Sequence, residues 1–197
     1  MYRFCTFVLR RVFGWWLSLR TVGEQYLPEG AGLIAANHAS FMDTPVLATS
    51  SRRPLAFVAR GSLGNHRLAA WWMNRVGVIL IRPGAGQREG LRQIQAALDA
   101  GRLVAVFPEG TRTRDGTLGP FREGILRAAA RRGIPIIPTA INGTWRAWPR
   151  HAKMPGRAPV TVVFGAPLED LLEGAEALHA AVRNRVADLL EGASGES

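Results

Sequence analysis

The chain alternates short apolar runs with longer stretches in which apolar residues recur at helical spacing. The runs are 32–36, 54–59, 76–81, 103–107, 134–141 and 160–164, and glycine, proline or polar residues bound them, so each predicts a strand. The run 103–107 is apolar without interruption, the pattern of a strand covered on both faces. The run 134–141 carries Pro135 and Pro138, which cannot donate to a ladder, so irregular pairing is expected there. Between the strands, 88–100 places Leu91, Ile94 and Leu98 on one helical face and closes on Gly101. Further helices are expected from Phe41 to Ala48, around 68–73 and over 124–132. A C-terminal amphipathic helix is expected over 171–190, ahead of a disordered tail at 192–197. Strands alternating with helices predict an α/β fold, a largely parallel sheet flanked by helices, in one domain over 21–191.

The first 20 residues break this rhythm. Phe4, Phe7, Phe13, Trp15 and Trp16 are interrupted by Arg3, Arg10 and Arg11. The longest uncharged run, 12–19, is far below the ~20 residues a spanning helix needs, and no clean cleavage site follows it. Aromatic residues beside arginine predict an amphipathic helix at a membrane interface, with guanidinium groups reaching the head groups. A peripheral protein on the cytoplasmic face of a membrane is therefore expected. Removal of the first 19 residues is expected to leave a folded domain that no longer binds anionic liposomes.

Composition narrows the partner. The 197 residues suffice for one substantial core, and 47% are apolar. The net charge is +10, and Lys153 is the only lysine, so the basic character is arginine. A planar guanidinium fork suits phosphate, which points to an anionic partner: membrane lipid, a phosphorylated substrate or nucleic acid. The arginines are dispersed and no nucleic-acid-binding motif accompanies them, so no nucleic-acid partner is expected. A non-catalytic basic domain that binds lipid or nucleic acid is the reading outside the enzymes. The single cysteine, Cys5, excludes an internal disulfide, and His66, His151 and His179 show no ligand spacing. No metal and no organic cofactor is expected.

Chemistry concentrates where strands end. The run 32–36 leads into Asn37-His38-Ala39-Ser40-Phe41-Met42-Asp43. On a straight helix, residues five apart point roughly 140° from each other, so His38 and Asp43 meet only if the chain turns between them. Ser40 supplies a turn by capping a helix that begins near Phe41, with Asp43 in its first turn. Asp43 is then placed to hold one ring nitrogen of His38 and leave the other as a base. Two other strands also end in polar groups, one at Arg82 and one at Phe107-Pro108-Glu109-Gly110-Thr111-Arg112. In the second of these Gly110 allows close approach of backbone to a ligand, Thr111 offers a hydroxyl and Arg112 a fork for phosphate. Glu109 is expected to accept a substrate hydroxyl or hold an arginine.

Together these residues resemble the glycerolipid acyltransferase family, whose best-known members acylate 1-acyl-glycerol 3-phosphate. Four ordered blocks carry the resemblance: Asn37, His38 and Asp43; Gly77 to Arg82; Phe107 to Arg112; and Ile134-Pro135-Ile136-Ile137-Pro138. The resemblance implies transfer of a fatty acyl group from acyl-CoA or acyl carrier protein to the free hydroxyl of a lysophospholipid, giving phosphatidic acid from 1-acyl-glycerol 3-phosphate. His38 is then the general base, Asp43 its orienting carboxylate, and Arg82, Glu109, Gly110, Thr111 and Arg112 hold the acceptor's phosphate. Asn37, Arg60 and Arg122 are secondary candidates. Arg60 and Arg122 stand where the family often has lysine, which keeps the charge and changes its geometry. The alternative acceptor is another lysolipid, such as a lyso-aminolipid without phosphate.

Overall fold

The computed structural model describes residues 2–60, 79–81, 86–168 and 175–194. The expected helix at 68–73, with Trp71, Trp72 and Met73, lies outside the described residues, as do Gly77, Arg82 and His66.

Helix α1 (Tyr2–Trp16) leads into strand β1 (Arg20–Val22), a 3-10 turn (Glu24–Tyr26) and β2 (Gly32–Ala36). There follow α2 (Asp43–Ser50), β3 (Leu55–Arg60), β4 (Ile79–Ile81), α3 (Gly86–Asp99) and β5 (Leu103–Val106). The chain continues through α4 (Glu123–Ala130), β6 (Ile136–Asn142), α5 (Thr144–Ala147), β7 (Thr161–Phe164) and α6 (Ala175–Ser194). The seven strands form one sheet in the order β1-β7-β6-β2-β5-β3-β4. Strands β6, β2, β5, β3 and β4 run parallel, while β7 pairs antiparallel with β6 and parallel with β1. The expected α/β fold with a largely parallel sheet is what forms.

The period-2 alternation of a strand explains the two cores. Ile34 and Ala36 of β2 face a cluster with Phe13, Leu17, Val46 and Phe164. Leu33 and Ala35 face another with Ile94, Leu98, Leu126 and Val182. Helices α1 and α2 thus cover one face and α3, α4 and α6 the other, which is why β2 and β5 are buried at every position.

Three expectations change, and one strand is added. Strand β6 pairs regularly with β2, Ile136 to Thr139 opposite Leu33 to Ala36, despite Pro138. The missing donor shows only on the other side, where the ladder to β7 begins at Thr139. Strand β1 carries no alternation signal, because three residues on a sheet edge form by pairing with β7. Gly23, at φ 81°, allows that approach, since a Cβ there would collide with the carbonyl oxygen of Phe164. Helix α6 continues past residue 192 to Ser194. Finally, Phe13 of α1 and Leu17 just after it are buried in the core while Phe4, Phe7 and Trp15 stay 61–75% exposed. Truncation of 1–19 would therefore open the core, and substitution of the outward aromatic residues is the usable test.

Candidate active site

Strands β2 and β5 are hydrogen-bonded neighbours, Ala35 opposite Val106, so their carboxyl ends deliver 37–43 and 107–113 to the same edge of the sheet. Asn37, the first residue past β2, is buried and its amide copies a backbone pair. Its Nδ2 donates to the Ile141 carbonyl at 3.0 Å and its Oδ1 accepts the Ile141 N–H at 2.7 Å. That fixes the exit of β2 against β6 and accounts for Asn37 as a structural brace.

The turn expected between His38 and Asp43 is present, but its caps are reversed. Asp43 is fully buried and its Oδ2 accepts the Ala39 N–H at 2.6 Å and the Ser40 N–H at 2.7 Å. The same oxygen lies 2.8 Å from Nδ1 of His38. Met42, not Ser40, holds the cap position of α2, and it makes no side-chain cap bond. The Ser40 hydroxyl instead accepts the Met42 N–H at 3.1 Å and donates to the Trp148 carbonyl at 2.7 Å. The carboxylate winds the loop around itself, and the turn brings the imidazole onto it. With Nδ1 committed to Asp43, Nε2 is the nitrogen left to take a proton. The imidazole stacks on Phe107, ring centroids 4.0 Å apart and planes 13° from parallel.

Glu109 joins the two loops. Its Oε1 accepts the His38 N–H at 2.7 Å and its Oε2 accepts the Gly119 N–H at 3.1 Å. The Thr113 N–H donates to the His38 carbonyl at 2.9 Å, so the β5 loop grips the histidine's backbone on both sides. Burial pushes the Glu109 carboxyl above its ordinary pKa, and the two backbone donors oppose the rise. Where an arginine or a substrate hydroxyl was expected on this carboxylate, backbone donors hold it. Arg183 of α6 extends the clasp by donating to the carbonyls of Leu118 and Gly119 at 3.2 and 3.3 Å.

Beyond the clasp the site opens into a cavity of about 430 Å³ lined by Thr111, Arg112, Arg114, Phe121, Arg122 and Arg150, among others. Arg112 lies over the Phe41 ring, its guanidinium carbon 3.4 Å from the centroid. Its Nη1 is buried and has no hydrogen-bond partner. Burial, and then the charge of Arg150, lower its pKa, against the opposing pull of Asp43. Gly110, at φ 70°, makes the turn, and its bare Cα is where Arg122 passes, Nε 2.9 Å from a Cβ placed there. Arg60 is the last residue of β3, with its backbone in register with Ile81. The sequence offers no local signal for Arg114, Trp148, Arg150 or Arg183, which reach the site only through the fold.

The acyltransferase family model matches residues 18–142. A chloroplastic 1-acyl-sn-glycerol-3-phosphate acyltransferase of Brassica napus is 29% identical over 156 residues, 78% of this chain and 44% of that protein. A lyso-ornithine lipid O-acyltransferase of Pseudomonas aeruginosa is 31% identical over 143 residues, 68% of this chain and 54% of that protein. The crystal structure of the 1-acyl-sn-glycerophosphate acyltransferase PlsC of Thermotoga maritima superimposes with a TM-score of 0.86 at 25% identity, covering 98% of this chain and 79% of that one. The chain spans about half the length of these two sequence relatives. With its matched segment running from β1 through β6 and enclosing both loops of the site, the chain belongs to the acyltransferase family.

Proposed function

We propose that the protein transfers a fatty acyl group from a thioester, acyl-CoA or acyl carrier protein, to the free hydroxyl of a lysophospholipid, with 1-acyl-glycerol 3-phosphate as acceptor and phosphatidic acid as product. The observation that carries this reading is the buried Asp43 held 2.8 Å from His38 Nδ1, next to an arginine-lined cavity whose Glu109 and Thr113 bond the His38 backbone. Nε2 of His38 takes the hydroxyl proton as the oxygen attacks the thioester carbonyl. The attack forms the new C–O bond, and the tetrahedral intermediate collapses to the ester by cleavage of the C–S bond, the proton going to the departing sulfur. Arg112, with Arg82, Gly110, Thr111 and Arg122, holds the acceptor's phosphate and so places the hydroxyl. Glu109 contributes by fixing the backbone of His38.

Purified protein and His38→Ala, given a lysolipid pool and acyl-CoA, are compared by mass spectrometry of the diacyl products. Phosphatidic acid from the wild type, reduced about 10²- to 10⁴-fold in the variant, is the expected outcome. Equal turnover by the variant would remove His38 from the chemistry. The similarity to a lyso-ornithine lipid acyltransferase supports a second acceptor, a lyso-aminolipid, and product on that acceptor alone would make it the substrate.

The protein acts at a membrane surface, on the cytoplasmic side where its acyl donors are made. No helix among the described residues is long and apolar enough to cross a membrane. Helix α1 instead docks by Phe13 and turns Phe4, Phe7 and Trp15 outward. Arg11 stands 5.8 Å from the Phe7 centroid and Arg157 5.2 Å from that of Trp15, pairing cation with aromatic as an interface requires. Replacing the three outward aromatic residues by serine should abolish co-sedimentation with anionic liposomes and leave the unfolding midpoint in place. Full retention on liposomes would rule out this face.

A further inference from the structure

Four guanidinium groups, those of Arg112, Arg114, Arg122 and Arg150, line one cavity. The acid that lines it, Glu109, has its two oxygens on the His38 and Gly119 N–H groups. Of the four, Arg150 comes from a segment outside every block of the sequence motif and outside the matched span of 18–142. Its position is nonetheless set by the catalytic loop. The Ser40 hydroxyl donates to the Trp148 carbonyl at 2.7 Å, and Phe41 packs on the Trp148 ring at 5.4 Å. The Trp148 indole N–H donates to the Ala152 carbonyl at 3.0 Å, which closes the segment on the far side of Arg150. Arg150 and Arg112 thus line the same cavity, and Nη1 of Arg112 has no hydrogen-bond partner.

We propose that Arg150 is a specificity-determining residue: together with Arg112 it receives a phosphomonoester dianion and disfavours acceptors whose head group carries an ammonium. The inference rests on the lysolipid acyltransferase reading and goes beyond it in naming the residue that selects the head group. Two guanidinium groups at one cavity are better matched in charge by a phosphomonoester, with three terminal oxygens and about two negative charges, than by a single carboxylate. An amino-acid head group fills one fork with its carboxylate and brings a cation among four others. The 3′-phosphomonoester of CoA has the same chemistry, so donor and acceptor must be told apart.

The test compares wild type, Arg150→Gln and Arg150→Lys with monomeric short-chain lysophosphatidate, a lyso-aminolipid and acyl-CoA varied in turn. For Arg150→Gln the KM for lysophosphatidate should rise about tenfold or more, the size of one lost charge-assisted hydrogen bond, with kcat changed far less. The ratio of kcat/KM for lysophosphatidate over the lyso-aminolipid should fall by a similar factor, and lysine should restore part of it. Equal losses on both acceptors would make Arg150 structural, and a rise confined to the KM for acyl-CoA would move the site to the donor; either overturns the proposal. If wild type acylates neither acceptor, the parent reading fails and calorimetric titration with glycerol 3-phosphate decides the inference without any transfer. Weaker binding by Arg150→Gln upholds the anion site, and equal binding removes it.

Discussion

The two halves of the site are built on opposite principles. In the half around His38, most polar groups are answered from within the protein: Asp43 Oδ2 receives three donors, Glu109 receives two backbone N–H groups, and the Asn37 amide is paired in both directions, while Asp43 Oδ1 stays buried without a partner. In the half around Arg112, charges of one sign gather and Nη1 of Arg112 is left without a partner. The first half is largely set before any ligand arrives, as the role proposed for His38, a base held in one tautomer, requires. The second is finished by what it binds. A group that is stable alone has nothing to gain from substrate, whereas an unmet guanidinium converts its own deficit into affinity.

The sharpest way to break this contrast is to change one residue in each half and follow activity and stability together. Asp43→Asn should lower kcat by about 10²-fold or more, because the neutral amide no longer favours the charged imidazole. It should also lower the unfolding midpoint by several degrees, since loss of a buried, bonded charge costs about 1–3 kcal/mol. Arg112→Met keeps an unbranched chain over Phe41 and removes the cation. Its KM for a phosphorylated acceptor should rise about 10- to 100-fold, while its unfolding midpoint holds or rises, because a guanidinium under burial and beside Arg150 is lost. Parallel melting losses in the two variants would erase the distinction.

A smaller effect sharpens it. Glu109→Gln can satisfy only one of the two backbone donors through its oxygen, and should cost about 1–2 kcal/mol in denaturant unfolding. The sign with pH is fixed by the raised pKa of the folded state. The folded protein keeps this proton after the unfolded chain has released it near the ordinary 4.5, so the group's contribution is whole below that pH. It declines as pH rises through the folded value. Urea midpoints measured upward from pH 4.5 should therefore fall more steeply for wild type than for Glu109→Gln. Identical slopes would place the proton on another group.

The sequence made the first half legible and hid much of the second. His38 and Asp43 are five apart, so one local turn, which the Asp43 carboxylate itself holds, is all that is needed to bring them together. The strands β2 and β5 are apolar at every position because both faces are covered, and such runs are hard to misread. What spacing cannot show is which partner a long-range polar group takes. Glu109 meets a backbone N–H 71 residues away and Asn37 braces a strand 104 residues away. Arg150 reaches the cavity from a segment whose Trp148 carbonyl accepts the Ser40 hydroxyl across 108 residues. The edge strand β1 was invisible for a similar reason, its three residues being ordered by β7 rather than by their own pattern.

The clasp made by Glu109 has a further consequence, for how such an enzyme can change. It welds the exits of β2 and β5 into one part that takes in the backbone of Thr113 and Gly119, and the arginine side chains project from around it, from 112–122 and from 150. Head-group preference is then adjustable by exchanging a few outlying side chains, with no strand, turn or base disturbed. On the proposed function, acceptor range is then separable from catalytic competence, and a library randomised at Arg114, Arg122 and Arg150 alone should yield folded, active variants with new acceptors.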